Sequence, residues 1–178
     1  YQARHGLTND CGGQTIAEGI AVAQPGKQNL SVIDALVSDI LLLPEEDIER
    51  AIDLLITVEK TVTEGAGAAG LAALLAYPER FRGRVVGLIL CGGNIDTRML
   101  SSILMRGLIR EGKITRMRVE IDDRPGTLAK VAQLVGDAGG NILEVQHQRN
   151  FPGVPAKMAE LDLVLETRDR DHIAEITA

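Results

Sequence analysis

Apolar residues fall along this chain in two rhythms, and the change between them comes near residue 112. In the first part Ile48, Ala51, Ile52, Leu55 and Ile56 recur at intervals of three and four, the mark of a helix with one buried face reaching about Lys60. Pro44 followed by Glu45, Glu46 and Asp47 suits the start of that helix: proline lacks an N–H that is unbonded there anyway, and the acids oppose the positive end of the helix dipole. EGAGAAGLAALLAY, residues 64 to 77, predicts a second helix closed by Pro78, whose small side chains allow close approach to neighbouring backbone. RVVGLIL at residues 84 to 90 predicts a strand buried on both faces of a parallel sheet, and DILLL at 39 to 43 is a shorter strand candidate. The turn CGGN and then the helical stretch DTRMLSSILMRGLIREG follow. Strand, glycine turn and helix in succession make the α/β pattern, in which ligands bind at the carboxyl ends of strands.

After Gly112 the period shortens to two. RMRVEI alternates, with Met117, Val119 and Ile121 on one face and Arg116, Arg118 and Glu120 on the other. DDRPG starts a helix carrying the stripe Leu128, Val131, Ala132 and Val135, which ends at Gly139 and Gly140. NILEVQHQR (141 to 149) and KMAELDLVLET (157 to 167) predict two more strands around the loop NFPGVPA, and DRDHIAEITA begins another helix. The order β-α-β-β-α is a ferredoxin-like unit without its last strand. The expected fold is therefore an α/β part with a partial parallel sheet over residues 1–112, followed by an α+β ferredoxin-like part over 113–178.

Composition narrows the function. Among 178 residues the net charge is −6, no Lys/Arg cluster is present, and the aromatics are only Tyr1, Tyr77, Phe81 and Phe151. Neither an electrostatic grip on phosphates nor a stacking platform for bases is available, so nucleic acid is not an expected partner. Cys11 and Cys91 each stand beside glycines without a CxxC, and His5, His147 and His172 show no metal-ligand spacing, so no metal site is expected. No apolar stretch reaches the roughly 18 to 20 residues of a membrane span and no signal-peptide pattern opens the chain, so a cytoplasmic location is expected. The chain begins at Tyr1 rather than Met, in a stretch of little periodicity that reads as a cut.

Taken singly, the candidate motifs each have a structural reading. CGGN permits a tight turn as well as close approach to a ligand, Cys91 can be an inert thiol, EGAGAAG can be close packing, and Glu64 can be a first-turn acid. In order, however, TIAEGIAV, EGAGAAGLAALL and LILCGGNID resemble the C-terminal third of the threonine dehydratases, from about Thr15 to Gly112. These are pyridoxal-phosphate enzymes of the second fold type, related to serine dehydratase and serine racemase. IDDRPGTLAKVAQLVGDAGGNILEVQHQR separately resembles an ACT domain, with an Asp-x-Pro-Gly-x-Leu signature at Asp123 to Leu128. One branch of the dehydratases carries such a domain behind the catalytic part.

The resemblance implies a role for particular residues. Cys91 matches the family position, Ser or Cys, that lies against the cofactor's pyridine nitrogen; Gly92, Gly93 and Asn94 shape the floor of the site, Gly19 brings backbone near the ring, and Glu64 lies beside it. Asp123, Arg124, Pro125, Gly126 and Thr127, with Asn141 and Ile142, match where ACT domains hold a small amino acid, commonly between two copies. The alternative for DRPG is simply a good helix start. The family's Schiff-base lysine and phosphate-binding loop have no match here, so no catalytic residue is named and this chain alone is expected neither to hold pyridoxal phosphate nor to turn over. The implied activity of the parent is conversion of threonine to 2-oxobutanoate and ammonia, under control of an amino-acid effector such as isoleucine or valine, in a homo-oligomer, dimer or tetramer. The alternatives are an amino-acid-binding or assembly module without catalysis, and a serine dehydratase or racemase relative.

Overall fold

A computed structural model describes residues 14–22, 25–149, 155 and 157–178. The sequence readings at His5, at Cys11 and over most of the 150–156 loop lie outside those residues. The chain divides into two compact units, one ending at Ile103 and the other running Leu104–Ala178.

The first unit holds a short 3-10 turn at Glu18–Ile20 and the helices α1 (Lys27–Leu36), α2 (Glu45–Thr57), α3 (Gly65–Ala76) and α4 (Pro78–Phe81). Helix α5 (Thr97–Arg110) begins in this unit. Pro44 caps α2 in extended conformation, and the three acids occupy its first turn. The helix stops before Lys60 because that residue takes φ 56°, in the left-handed region, and its Nζ donates to Thr57 O at 2.6 Å. Ile48, Ala51, Ile52 and Leu55 form the buried face of α2, and Ala68 and Ala72 of α3 meet them with Ala17 and Ile103. Burying a side chain such as Ile52, which is fully covered, contributes about 1.5–3 kcal/mol. The alanines of α3 matter in a different way, by letting two helix backbones come close.

Residues 84–90 form no strand, contrary to the expectation for RVVGLIL, and neither do residues 39–43. Ile89 is 85% exposed and Val85 is fully exposed. A parallel strand exists only through hydrogen bonds to neighbours on its edges, and no described residue pairs with this segment. Its apolar run is therefore left unpaired and exposed among the described residues.

The second unit contains β1 (Ile114–Asp122), α6 (Thr127–Asp137), β2 (Asn141–Gln148), β3 (Met158–Glu166) and α7 (Arg170–Thr177). The strands form one antiparallel sheet in the order β1-β3-β2. Ala159, Leu161, Leu163 and Leu165 are completely buried on one face of β3, against Met117, Val119 and Ile121 of β1 and Val131, Val135 and Ile176 of the helices. Leu143 is an extra residue in the β2 ladder, since Ile142 pairs with Leu165 and Glu144 with Val164. That bulge puts Ile142, Val145 and His147 on one face, which plain alternation would not. β1 is paired on one edge only, so the described sheet has three strands of a ferredoxin-like order. No helix among the described residues is long and apolar enough to cross a membrane.

Candidate functional site

In the first unit, the glycine turn after residue 90 is stitched to the entrance of α3. The Glu64 amide donates to Gly92 O at 2.7 Å, and the Thr63 hydroxyl lies 3.2 Å from Cys91 O. Glycine is required at three points of this junction. A Cβ on Gly67 would lie 1.8 Å from Cys91 O, and one on Gly65 2.2 Å from Ile16 O. Gly92 has φ +74°, and a Cβ there would also lie 2.4 Å from the Glu64 carboxylate. The segments around 16–19, 63–67 and 91–94 thus meet because three positions carry no side chain.

Beside this junction is a cavity of about 140 Å³, lined by Gly19, Glu64 and Asn94 together with Ile16, Glu18 and Asp96. Gly19 comes close to Glu64, its would-be Cβ standing 3.2 Å from Oε1. Asp96 caps α5, its Oδ1 accepting the Met99 amide at 3.0 Å. Of the residues singled out from sequence, Gly19, Glu64 and Asn94 share the cavity, Gly92 packs on Glu64, and Gly93 has only Val62 O at 3.7 Å from its would-be Cβ. Cys91 is a free, exposed thiol whose carbonyl is buried against α3. Neither Lys27 nor Lys60 lines this cavity. Among the described residues no group of three His, Cys, Asp or Glu side chains converges enough to hold a metal ion.

Sequence reading missed Thr63, Gly65 and Gly67 as individuals. The signal for the glycines is the small-residue run EGAGAAG, which opens the second of the three ordered motifs; nothing in the pattern marks Thr63, which is 2% exposed.

In the second unit the two groups of candidate effector residues lie apart. The Asp123 amide donates to Lys157 O at 3.0 Å and its carboxylate pairs with Arg149 Nε at 3.0 Å. Arg124 stands 3.9 Å from Asp122, and the Thr127 amide donates to Arg124 O at 3.3 Å across Pro125 and Gly126. Gly126 caps α6 at φ +89°, with open space where a Cβ would be, so its conformation alone calls for glycine. Asn141 Nδ2 donates to Glu166 Oε2 at 3.0 Å, and Ile142 packs on the core. Asp122 pairs with Met158 at one end of β3 while Asn141 pairs with Glu166 at the other. At about 3.3 Å per residue, the loop and the start of β2 are roughly 25 Å apart along the sheet.

Electrostatics on the polar sheet face centre on Asp162. It is only 4% exposed, because Arg116 donates to both its oxygens, with Nε to Oδ1 at 2.6 Å, and Arg118 lies 3.5 Å away. The hydrogen bond from Arg116, and then the charges of Arg116 and Arg118, hold the Asp162 carboxyl below its ordinary range against the opposing effect of desolvation.

Comparison with known proteins agrees with this division. The family model for pyridoxal-phosphate dependent enzymes matches residues 1–92, and the model for the ACT domain matches residues 115–178. An L-threonine ammonia-lyase of Thermotoga maritima is 38% identical over 165 residues, which is 93% of this chain and 41% of that protein. One of Geobacter sulfurreducens is 40% identical over 163 residues, covering 91% of this chain and 40% of that protein. A catabolic L-threonine dehydratase of Escherichia coli is 40% identical over 91 residues, 50% of this chain and 28% of that protein. The chain spans about two fifths of the length of the first two relatives. It belongs to the family of pyridoxal-phosphate dependent enzymes, and an ACT domain follows the part of the enzyme domain that it contains.

Proposed function

We propose that this chain is the C-terminal segment of a cytoplasmic threonine ammonia-lyase, comprising the end of the cofactor domain up to residue 112 and an ACT regulatory domain from residue 113. The observation that carries the reading is the meeting of Gly19, Glu64 and Asn94 at one small cavity beside the glycine turn, whose Gly92 packs on Glu64, in a chain 38–40% identical to two L-threonine ammonia-lyases. The residues present fit the ring end of pyridoxal phosphate and not its phosphate end. Glu18, Glu64 and Asp96 around the cavity repel a phosphate dianion, while bare backbone at Gly19 admits a flat ring.

Pyridoxal phosphate, when bound, supplies an electron sink for the substrate's α-carbon. Cys91 is assigned to the pyridine nitrogen, where a neutral thiol does not hold the nitrogen protonated as a carboxylate would. In that role Cys91 would leave the bound group a weaker electron sink, suited to elimination of the substrate's β-hydroxyl. Glu64, whose amide donates to Gly92 O at 2.7 Å, would stand beside the ring, and Asn94 and the glycines would shape its floor. The lysine that binds the cofactor covalently is assigned to the remainder of the parent protein: Lys60 is engaged with Thr57 O, in no such context. The ACT domain is assigned to regulation by a small amino acid, isoleucine or valine being candidates from the pathway that the family resemblance implies, in a homo-oligomer.

The test is expression of the full parent protein and of residues 1–178 side by side, with pyridoxal phosphate and threonine. The parent is expected to release 2-oxobutanoate and ammonia in equal amounts and to yield one borohydride-reduced lysine adduct upstream of Tyr1. The short chain is expected to do neither. Turnover with a single stoichiometric adduct within residues 1–178 refutes the assignment of the lysine, and a parent without threonine turnover refutes the activity.

A further inference from the structure

We propose that Thr63 is a positioning residue whose hydroxyl fixes the Cys91 peptide, and through it the Cys91 side chain, against the proposed cofactor ring. The inference rests on the cofactor reading above and assigns it a residue that the sequence motifs do not single out. Thr63 is 2% exposed, and a buried hydroxyl without a partner would be destabilising. Its Oγ has Cys91 O at 3.2 Å and Glu64 O at 3.3 Å, two carbonyls for one hydrogen. The next residue repeats the grip one position along, since the Glu64 amide donates to Gly92 O at 2.7 Å. Consecutive residues 63 and 64 therefore hold consecutive carbonyls 91 and 92.

The first turn of α3 closes on the same pair. A Cβ at residue 67 would lie 1.8 Å from Cys91 O and 2.3 Å from Thr63 Oγ, so glycine there is what lets the carbonyl and hydroxyl meet. The β-branched side chain of threonine is stiff about χ1, which keeps the hydroxyl pointed one way. The Thr63 hydroxyl is buried, whereas Cys91 is exposed and Glu64 lines the neighbouring cavity with Gly19. Valine has the same shape as threonine and lacks only the donor, while serine keeps the donor and loses the methyl group. The two substitutions separate hydrogen bonding from packing.

The experiment uses the full-length parent protein carrying Thr63→Val or Thr63→Ser. Two quantities are measured beside the melting temperature: the rate at which iodoacetamide alkylates Cys91 in the cofactor-free protein, read on its own peptide, and the affinity and absorbance band of bound pyridoxal phosphate. Thr63→Val is expected to speed alkylation and weaken cofactor binding by about fivefold each, with a shifted band, the change that about 1 kcal/mol produces. Thr63→Ser is expected to stay within about twofold of wild type, as one retained hydrogen bond predicts. If Thr63→Val does not fold, Thr63→Ala against Thr63→Ser makes the same comparison. Cofactor binding unchanged in Thr63→Val overturns the proposal, even with faster alkylation, and so does a Thr63→Ser variant as impaired as Thr63→Val. If the wild-type parent binds no pyridoxal phosphate, the cofactor reading falls and takes the proposal with it, whereas a wild type that binds normally isolates any failure to Thr63.

Discussion

His172 Nε2 stands 2.8 Å from the carbonyl oxygen of Ala138, so the first turn of α7 is tied to the residue that ends α6. The ring is 1% exposed, and its other nitrogen, Nδ1, accepts the Arg168 amide at 3.0 Å. With one nitrogen accepting, the other must donate, so the neutral imidazole is held in the Nε2–H tautomer. Gly139 lies beside the ring and takes φ +86° to end the helix there.

Replacing this histidine is expected to loosen the ACT domain specifically. His172→Phe fills similar volume but makes neither bond, leaving two backbone groups short of partners at about 1–3 kcal/mol for such a buried group. Loss of several degrees in the melting transition is expected for His172→Phe and for His172→Ala alike. A phenylalanine variant that melts like wild type would mean that ring packing, not hydrogen bonding, is what counts.

Under the proposed assignment of Cys91 to the cofactor ring, Cys91→Ser in the parent protein is expected to keep most of the proposed activity, because serine is also a neutral partner. Cys91→Asp is expected to lose roughly tenfold or more and to gain transamination side products, since a carboxylate stabilises a protonated pyridine and prolongs the carbanion. Rates and product ratios are read by chromatography of the keto acids. Equal values for wild type and the aspartate variant would remove Cys91 from the ring nitrogen.

Acid stability is expected to depend on Asp162. Its carboxyl is held low by Arg116 and Arg118, so the charged form is favoured in the folded chain. A depressed folded value stabilises fully above the unfolded value of about 3.9, and the contribution disappears as pH falls through the lower folded value. Between about pH 6 and pH 3, wild type is therefore expected to lose more stability than Asp162→Asn, which has no such charge to lose. Parallel melting curves across that range would rule the linkage out.

Asp123 and Asn141 lie at opposite ends of one sheet, so a ligand that touches both needs two copies of the domain. Asp123→Ala and Asn141→Ala assemblies are each expected to lose amino-acid binding, measured by calorimetry. Mixing them in equal amounts after dissociation is expected to restore binding at about a quarter of all sites, because random re-pairing makes about half of the pairs mixed and each mixed two-fold pair has one intact site and one doubly altered. No recovery on mixing would place the effector within a single copy, or nowhere.

Several features were legible in the sequence because they are local. The period-two runs at Met117, Val119 and Ile121 and at Ala159, Leu161, Leu163 and Leu165 mark buried strand faces, since alternation is a property of the backbone alone. The face of α2 and the small residues of α3 follow for the same reason, from the three-and-four spacing and the absence of side chains. The glycine turn at 91–94 was visible as a candidate site only in order with the other motifs.

The tertiary structure decided what depends on distant segments meeting. RVVGLIL has a strand's composition, yet residues 84–90 form no strand among the described residues, because a ladder needs a neighbour. Asp162 stands on the polar face of its strand and is nonetheless buried, because Arg116 and Arg118 on another strand fold over it. The bulge at Leu143 resets which side chains of β2 face inward, a choice made by pairing with β3. Thr63 has no mark in the pattern at all: its partner Cys91 is 28 residues away, and a hydrogen bond across that distance is fixed by packing, not by periodicity.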